Sequence, residues 1–174
     1  MIEYVADREI YERFVLGGMF EARRFLWIAT SDMKDMHVEN QSGRMVSFLD
    51  VLSELVSRKV EVRVLHAKEP GRAFRRDFDR NGNLIKGMEM ILCPRVHMKA
   101  VIVDGEFVYS GSANLTGAGM GAKNSERRNF EGGIVTDEKK MIEKIMGQFD
   151  SIWMGMHCGN CKRKEYCGSY KELI

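Results

Sequence analysis

The sequence predicts an α/β fold, a mixed β-sheet flanked by helices. Short apolar runs with the two-residue period of strands alternate with longer stretches whose apolar residues recur every three to four positions. The pair Asp104-Gly105 separates two such apolar runs, the mark of a tight hairpin. The chain has 174 residues, 44% hydrophobic and 30% charged, with only two prolines, a composition that suits one globular domain with a core of its own.

Residues 7–22 place Ile10, Tyr11, Phe14, Val15, Met19 and Ala22 on one helical face, with Asp7 as the N-cap. FLWIAT (25–30) is a short buried strand. Apolar positions 45, 48, 49, 52, 55 and 56 predict a second amphipathic helix over 44–58. VEVRVLH (60–66) alternates as a strand does, and MEMILC (88–93) reads as another. Between them, Pro70, Gly71, Asn81, Gly82, Asn83 and Gly87 punctuate residues 67–87, which read as a long, polar, arginine-rich loop. KAVIV (99–103), FVYSG (107–111) and GGIVT (132–136) complete the strands. A last helix over 138–153 buries Met141, Ile142, Ile145, Met146, Phe149, Ile152 and Trp153. Strand–helix alternation followed by a hairpin predicts a sandwich of helices over a mixed sheet. The division is a domain over 1–153 and a cysteine-rich tail over 154–174.

Net charge is only +2, so bulk charge points to no particular partner. Basic residues nevertheless cluster in GRAFRRDFDR (71–80), KNSERR (123–128) and KRK (162–164). No apolar run nears the roughly 20 residues of a membrane span. No basic stretch leads into an apolar one at the N-terminus, so the expected location is cytoplasmic.

The stretch RVHMKAVIVDGEFVYSGSAN (95–114) carries chemistry that a strand alone does not need. His97 and Lys99 share one strand face, and Asp104 falls on the other. Folding back at Asp104-Gly105 brings Ser112 and Asn114 beside them. Imidazole, ammonium, hydroxyl and amide then converge, a set suited to an anion whose charge grows in the transition state, as at a phosphoryl group. Any one of these residues alone is unremarkable on a strand or turn.

The whole pattern, His-x-Lys-x4-Asp-x6-Gly-Ser-x-Asn, is filled by His97, Lys99, Asp104, Gly111, Ser112 and Asn114. It resembles the signature of the phospholipase D superfamily, as do Leu115-Thr116 and Asn129-Phe130-Glu131 with the strand that follows. The resemblance implies a phospholipase D/nuclease-like sandwich and a phosphodiesterase. His97 would be the nucleophile, forming a phosphohistidine. Lys99 and Asn114 would hold the non-bridging oxygens, and Ser112 would support the phosphate or the histidine. Glu131 would accept a hydrogen bond from the imidazole, with Glu126 as a rival, and Asp104 would be structural. The family's reaction uses two such motifs, and His37, His66 and His157 lack the lysine partner. The resemblance therefore implies a homodimer sharing one site. It favours an endonuclease that cleaves DNA or RNA without a catalytic divalent metal. The alternatives are a lipid phosphodiesterase of the cardiolipin hydrolase type and a non-catalytic nucleic-acid-binding module. Phe74 and Phe78, interleaved with the arginines of 71–80, suit base stacking beside backbone phosphates.

The tail spaces Cys158, Cys161 and Cys167 as C-x2-C-x5-C, with Cys93 far upstream. Clustered thiols in a cytoplasmic chain suggest a metal rather than disulfides. Structural zinc is the expectation, with Cys93 or His157 as fourth ligand. An iron–sulfur cluster would use the same four cysteines. Either would pin a tail too short to build a core.

Overall fold

A computed structural model describes residues 1–40 and 42–169. Its strands are β1 (Ile2–Ala6), β2 (Phe25–Thr30), β3 (His37–Glu39), β4 (Met45–Ser47), β5 (Glu61–His66), β6 (Met88–Leu92), β7 (Ala100–Val103), β8 (Phe107–Gly111) and β9 (Gly132–Thr136). Its α-helices are α1 (Phe48–Ser57), α2 (Arg72–Asp79), α3 (Gly82–Gly87) and α4 (Lys139–Trp153).

Seven strands form one sheet in the order β1-β9-β8-β7-β2-β5-β6. Pairing is parallel from β2 through β5 to β6 and antiparallel elsewhere. The side chains of β2 show why both faces are covered. Leu26 and Ile28 enter a large apolar cluster, and Trp27 and Ala29 enter a second one on the opposite face. Phe48, Leu49, Leu52 and Leu55 of α1 close the first cluster. Ile142 and Phe149 of α4 close the second, where Phe149 stacks on Trp27 with ring centroids 5.1 Å apart. The predicted mixed sheet between helices is the observed architecture.

Register decides where chemistry can gather. Ala29 faces Ala100, Thr30 faces His66, His66 faces Leu92, Gly111 faces Gly133, and Ala6 faces Gly132. One edge of the sheet therefore collects the ends of β1, β2, β5, β6 and β8 with the starts of β7 and β9.

The tight hairpin turn is as expected: Asp104 and Gly105 take φ of 56° and 70°, a left-handed pair closed by the Glu106 N–H donating to the Val103 carbonyl at 2.9 Å before Phe107 pairs with Val103. Other elements differ from the sequence reading. Residues 7–22 are not one α-helix. Ile10–Val15 winds as a π-helix and Met19–Glu21 as a single 3-10 turn. Asp7 does not cap it. Instead it lies at φ 49°, its N–H donating to the Glu131 carbonyl and its carboxylate accepting the Glu131 N–H, each at 2.9 Å. The second helix starts at Phe48 rather than residue 44, because Met45–Ser47 pairs with His37–Glu39 in a small hairpin. Ser47 then caps the helix, its Oγ accepting the Leu49 N–H at 3.1 Å. The supposed loop 67–87 contains α2 and α3, which bury Phe74 and Leu84. Strand β1 was not expected, since only Val5 of its five residues is buried.

Beyond α4 the tail returns to β6, a sheet edge. Ser169 Oγ accepts the Leu92 N–H at 2.8 Å, and the Cys167 thiol donates to the Leu92 carbonyl at 3.3 Å. Residues 170–174 of the assigned tail lie outside the described residues. No helix among the described residues is long and apolar enough to cross a membrane.

Candidate active site

Lys99 defines the floor of the site. The Gly111 N–H donates to the Lys99 carbonyl at 3.1 Å, and Gly111 pairs with Gly133 on β9. A row of lysine, glycine and glycine thus crosses the sheet. Burial pushes Lys99 below its ordinary value, opposed by the nearby Glu131 carboxylate. Its Nζ donates to the His97 carbonyl at 2.7 Å, tying the ammonium to the segment that carries His97. The His97 ring itself is exposed, just ahead of β7, and forms no hydrogen bond to another described residue.

The glycine floor has a steric origin. A Cβ on Gly111 would meet the Gly132 carbonyl oxygen and the Tyr109 hydroxyl at 2.5 Å each. Tyr109 is fully buried beneath the site, and its hydroxyl accepts the Ala113 N–H at 3.2 Å. Burial pushes it up to about 12, with Glu131 adding to the rise, so it stays neutral. We expect Gly111→Ala to cost about 1–3 kcal/mol through overpacking and to lower turnover by displacing Ser112. Gly147→Ala, whose added methyl meets nothing within 4 Å, should leave both unchanged or raise stability slightly. Thermal melts and turnover of the two variants check this.

Asn114 is oriented by the end of β2. Its Oδ1 accepts the Ser31 hydroxyl at 2.8 Å and the Ser31 and Asp32 N–H groups at 3.2 Å each. With the oxygen so occupied, the amide NH2 is the end left to donate. Thr30 Oγ1 lies 3.2 Å from the same oxygen and accepts the Leu115 N–H at 3.1 Å. Ser112 sits at the end of β8. Its hydroxyl donates to Glu131 and accepts the Gly132 N–H at 3.1 Å.

The structure thus gathers Lys99, Ser112, Asn114 and Glu131 at the edge that His97 enters. Glu131 does not bond the imidazole of its own chain. Its carboxylate bridges Ser112 and Asn129, the latter at 3.0 Å. The rival Glu126 lies exposed on a single 3-10 turn. Asp104 is remote from this edge and clamps backbone N–H groups of residues 23–25. Thr30, Ser31 and Asp32 are site residues that the sequence reading missed. The available signal was a run of small polar groups immediately after a buried strand.

Two expectations about neighbouring residues change. Phe74 and Phe78 do not offer rings to bases: Phe74 is buried, and the two stack on one another at 6.1 Å. The tail does not present a closed zinc site. Cys93, Cys158, Cys161 and Cys167 line one cavity, but among the described residues no three His, Cys, Asp or Glu side chains stand ready to hold a metal ion.

A protein-family model described as "Cardiolipin synthase, PLD-like domain" matches residues 18–153. The chain belongs to the phospholipase D-like family. Solved structures repeat the likeness in three dimensions. NucT from Helicobacter pylori superposes with a TM-score of 0.63 at 14% identity, over 96% of this chain and 98% of NucT. Nuc from Salmonella typhimurium, a phospholipase D family member, gives 0.63 at 19% identity over 88% and 93%. The polyphosphate kinase of Porphyromonas gingivalis gives 0.61 at 15% identity, over 88% of this chain but 24% of that one. Comparison with curated protein sequences gives no significant match. The cysteine tail of this phospholipase D-like chain lies beyond the residues that the family model matches.

Proposed function

We propose that the protein is a phosphodiesterase working through a phosphohistidine, with nucleic acid as its substrate and two copies completing one site. The placement of Lys99, Ser112 and Asn114 at the end of the sheet where His97 lies carries this reading. His97 attacks phosphorus as the ester oxygen leaves, and that oxygen takes a proton from the histidine of the second copy. Water, giving a proton back to the histidine of the second copy, then attacks the phosphohistidine; the P–N bond breaks and the His97 imidazole is regenerated. Lys99 and the Asn114 amide offset the charge that grows on the non-bridging oxygens. Ser112 and Glu131 hold each other in place at the rim. In a two-fold assembly Glu131 would meet an imidazole as the resemblance implies.

The single motif, and the near-complete overlap with the small chains Nuc and NucT, support a nuclease over a two-motif lipid enzyme. Basic helix α2 follows β5 at the same edge and carries Arg72, Arg75 and Arg76, with Arg80 at its C-cap. Three of these are engaged locally: Arg75 with Glu69, and Arg76 and Arg80 with Asp77. Exposed Phe130 and Tyr4, beside Glu131 and Gly132, give the rim an apolar character that a lipid could also use.

The test offers single-stranded DNA, duplex DNA, RNA and cardiolipin vesicles to the protein with and without chelator, beside His97→Asn. Chelator-resistant cleavage of a nucleic acid is expected, with the variant lower by about four orders of magnitude or more. Cleavage confined to cardiolipin would replace the substrate assignment. Undiminished activity in His97→Asn would overturn the mechanism.

A further inference from the structure

Four cysteines, one mid-chain and three in the tail, line one cavity where the tail crosses the end of β6. Cys93 directly follows that strand and lies four residues before His97, while Cys158, Cys161 and Cys167 follow α4. All four are free, half-buried thiols lining one cavity of about 250 Å³.

The surroundings suit a thiolate-bound group that brings its own negative charge. The Arg163 N–H donates to Cys161 Sγ at 3.4 Å, across a turn in which the Cys161 N–H reaches the Cys158 carbonyl at 3.2 Å. Arg95 and Lys164 line the same wall. Leu92, Val96 and Ile152 supply an apolar remainder.

The number of thiols and the room between them bear on the occupant. One zinc ion requires its sulfurs to converge at about 2.3 Å from a single point. Among the described residues no three candidate ligands do so. An iron–sulfur cluster interposes its own sulfides between the metals and takes four thiolates at separated corners. Four free thiols lining one cavity of about 250 Å³ leave room for a group larger than a single ion. His157 is not needed as a ligand, and its Nε2 lies 3.1 Å from Ser151 Oγ.

We propose that Cys93, Cys158, Cys161 and Cys167 ligate an iron–sulfur cluster that staples the C-terminal tail to the loop carrying His97. The cluster takes no part in the phosphodiester step. It ties the Cys93–Val96 segment to residues 158–167, a link that no hydrophobic core of the tail supplies.

The test is independent of the substrate. Full-length protein is purified without oxygen, and iron, acid-labile sulfide and zinc are measured per chain together with the visible spectrum. The expected result is iron and sulfide in equal amounts, about two or four of each, with visible absorption that is lost in Cys161→Ser and kept in His157→Ala. Bleaching the cluster should also open the tail to limited proteolysis. Zinc near one per chain without sulfide would overturn the proposal, as would protein holding neither metal or a tail equally protected after bleaching. The wild-type analysis decides even where the serine variant does not fold.

Discussion

Asn114→Asp should keep the fold and lose most of the activity. The two side chains have nearly the same shape, and a carboxylate oxygen accepts the hydrogen bonds that Asn114 Oδ1 now takes from Ser31 and Asp32. The fold-supporting half of the residue is therefore retained. The other half changes sign, because the donating NH2 becomes a second anionic oxygen at the place proposed for a phosphate. That oxygen repels the substrate and competes with it for Lys99. Loss of one donor to a developing oxyanion costs about 10²–10³ in rate, and repulsion adds to this. The expected kcat/KM falls by at least about 10³, while the melting temperature stays within about 3 °C, near the shift of 1 kcal/mol. Asn114→Ala should instead lose stability as well, since it leaves two backbone N–H groups at the end of β2 without their acceptor. Turnover of Asn114→Asp near the unaltered level would remove Asn114 from the proposed phosphate site.

The contrast between these two halves of Asn114 shows what the sequence could and could not reveal. Residues 97–114 were legible because a local device, the left-handed Asp104-Gly105 turn, sets the hairpin register and brings Lys99 alongside Gly111. The partners of Asn114 come from residues 30–32, more than 80 positions away, and no local pattern links them. Strand β1 escaped notice for a different reason. Ile2 and Tyr4 stay exposed at the sheet edge, so its apolar residues do not report burial. Glycine and asparagine around residues 81–87 read as loop punctuation. Burial of Phe74 and Leu84 outweighed that local signal and held two short helices in place. The cysteines were countable from spacing alone, but their shared cavity depends on how the tail returns to β6.

Asp104→Ala should be the most destabilising single change among the motif residues, without being a catalytic one. The carboxylate accepts backbone N–H groups from Arg23 at 2.9 Å and from Arg24 and Phe25 at 2.8 Å each. These donors lie where the chain enters β2, and the Asp104 N–H returns a bond to the Phe25 carbonyl at 3.0 Å. Alanine strands three donors and must also hold a positive φ that aspartate tolerates better. With partial rescue by water, the cost is about 3 kcal/mol, which lowers the melting temperature by roughly 6–12 °C. Asp104→Asn keeps one acceptor oxygen and the left-handed tolerance, so it should fall between. The acid limb of stability follows from the same contacts. Burial alone would raise the Asp104 value, but the three N–H donors and Arg24 outweigh it and leave it lowered. A lowered folded value means that the stabilisation is complete above the ordinary carboxylate range near 4. It is lost as pH falls through the folded value, and the alanine variant should lack that loss. Asp104 lies at the far end of β7 from His97, about 20 Å along the chain at the strand rise. Activity of Asp104→Ala, assayed well below its melting point, should therefore stay within about twofold, well under the roughly tenfold that 1.4 kcal/mol off the barrier would make. A variant that melts normally yet is as inactive as His97→Asn would place Asp104 in the reaction after all.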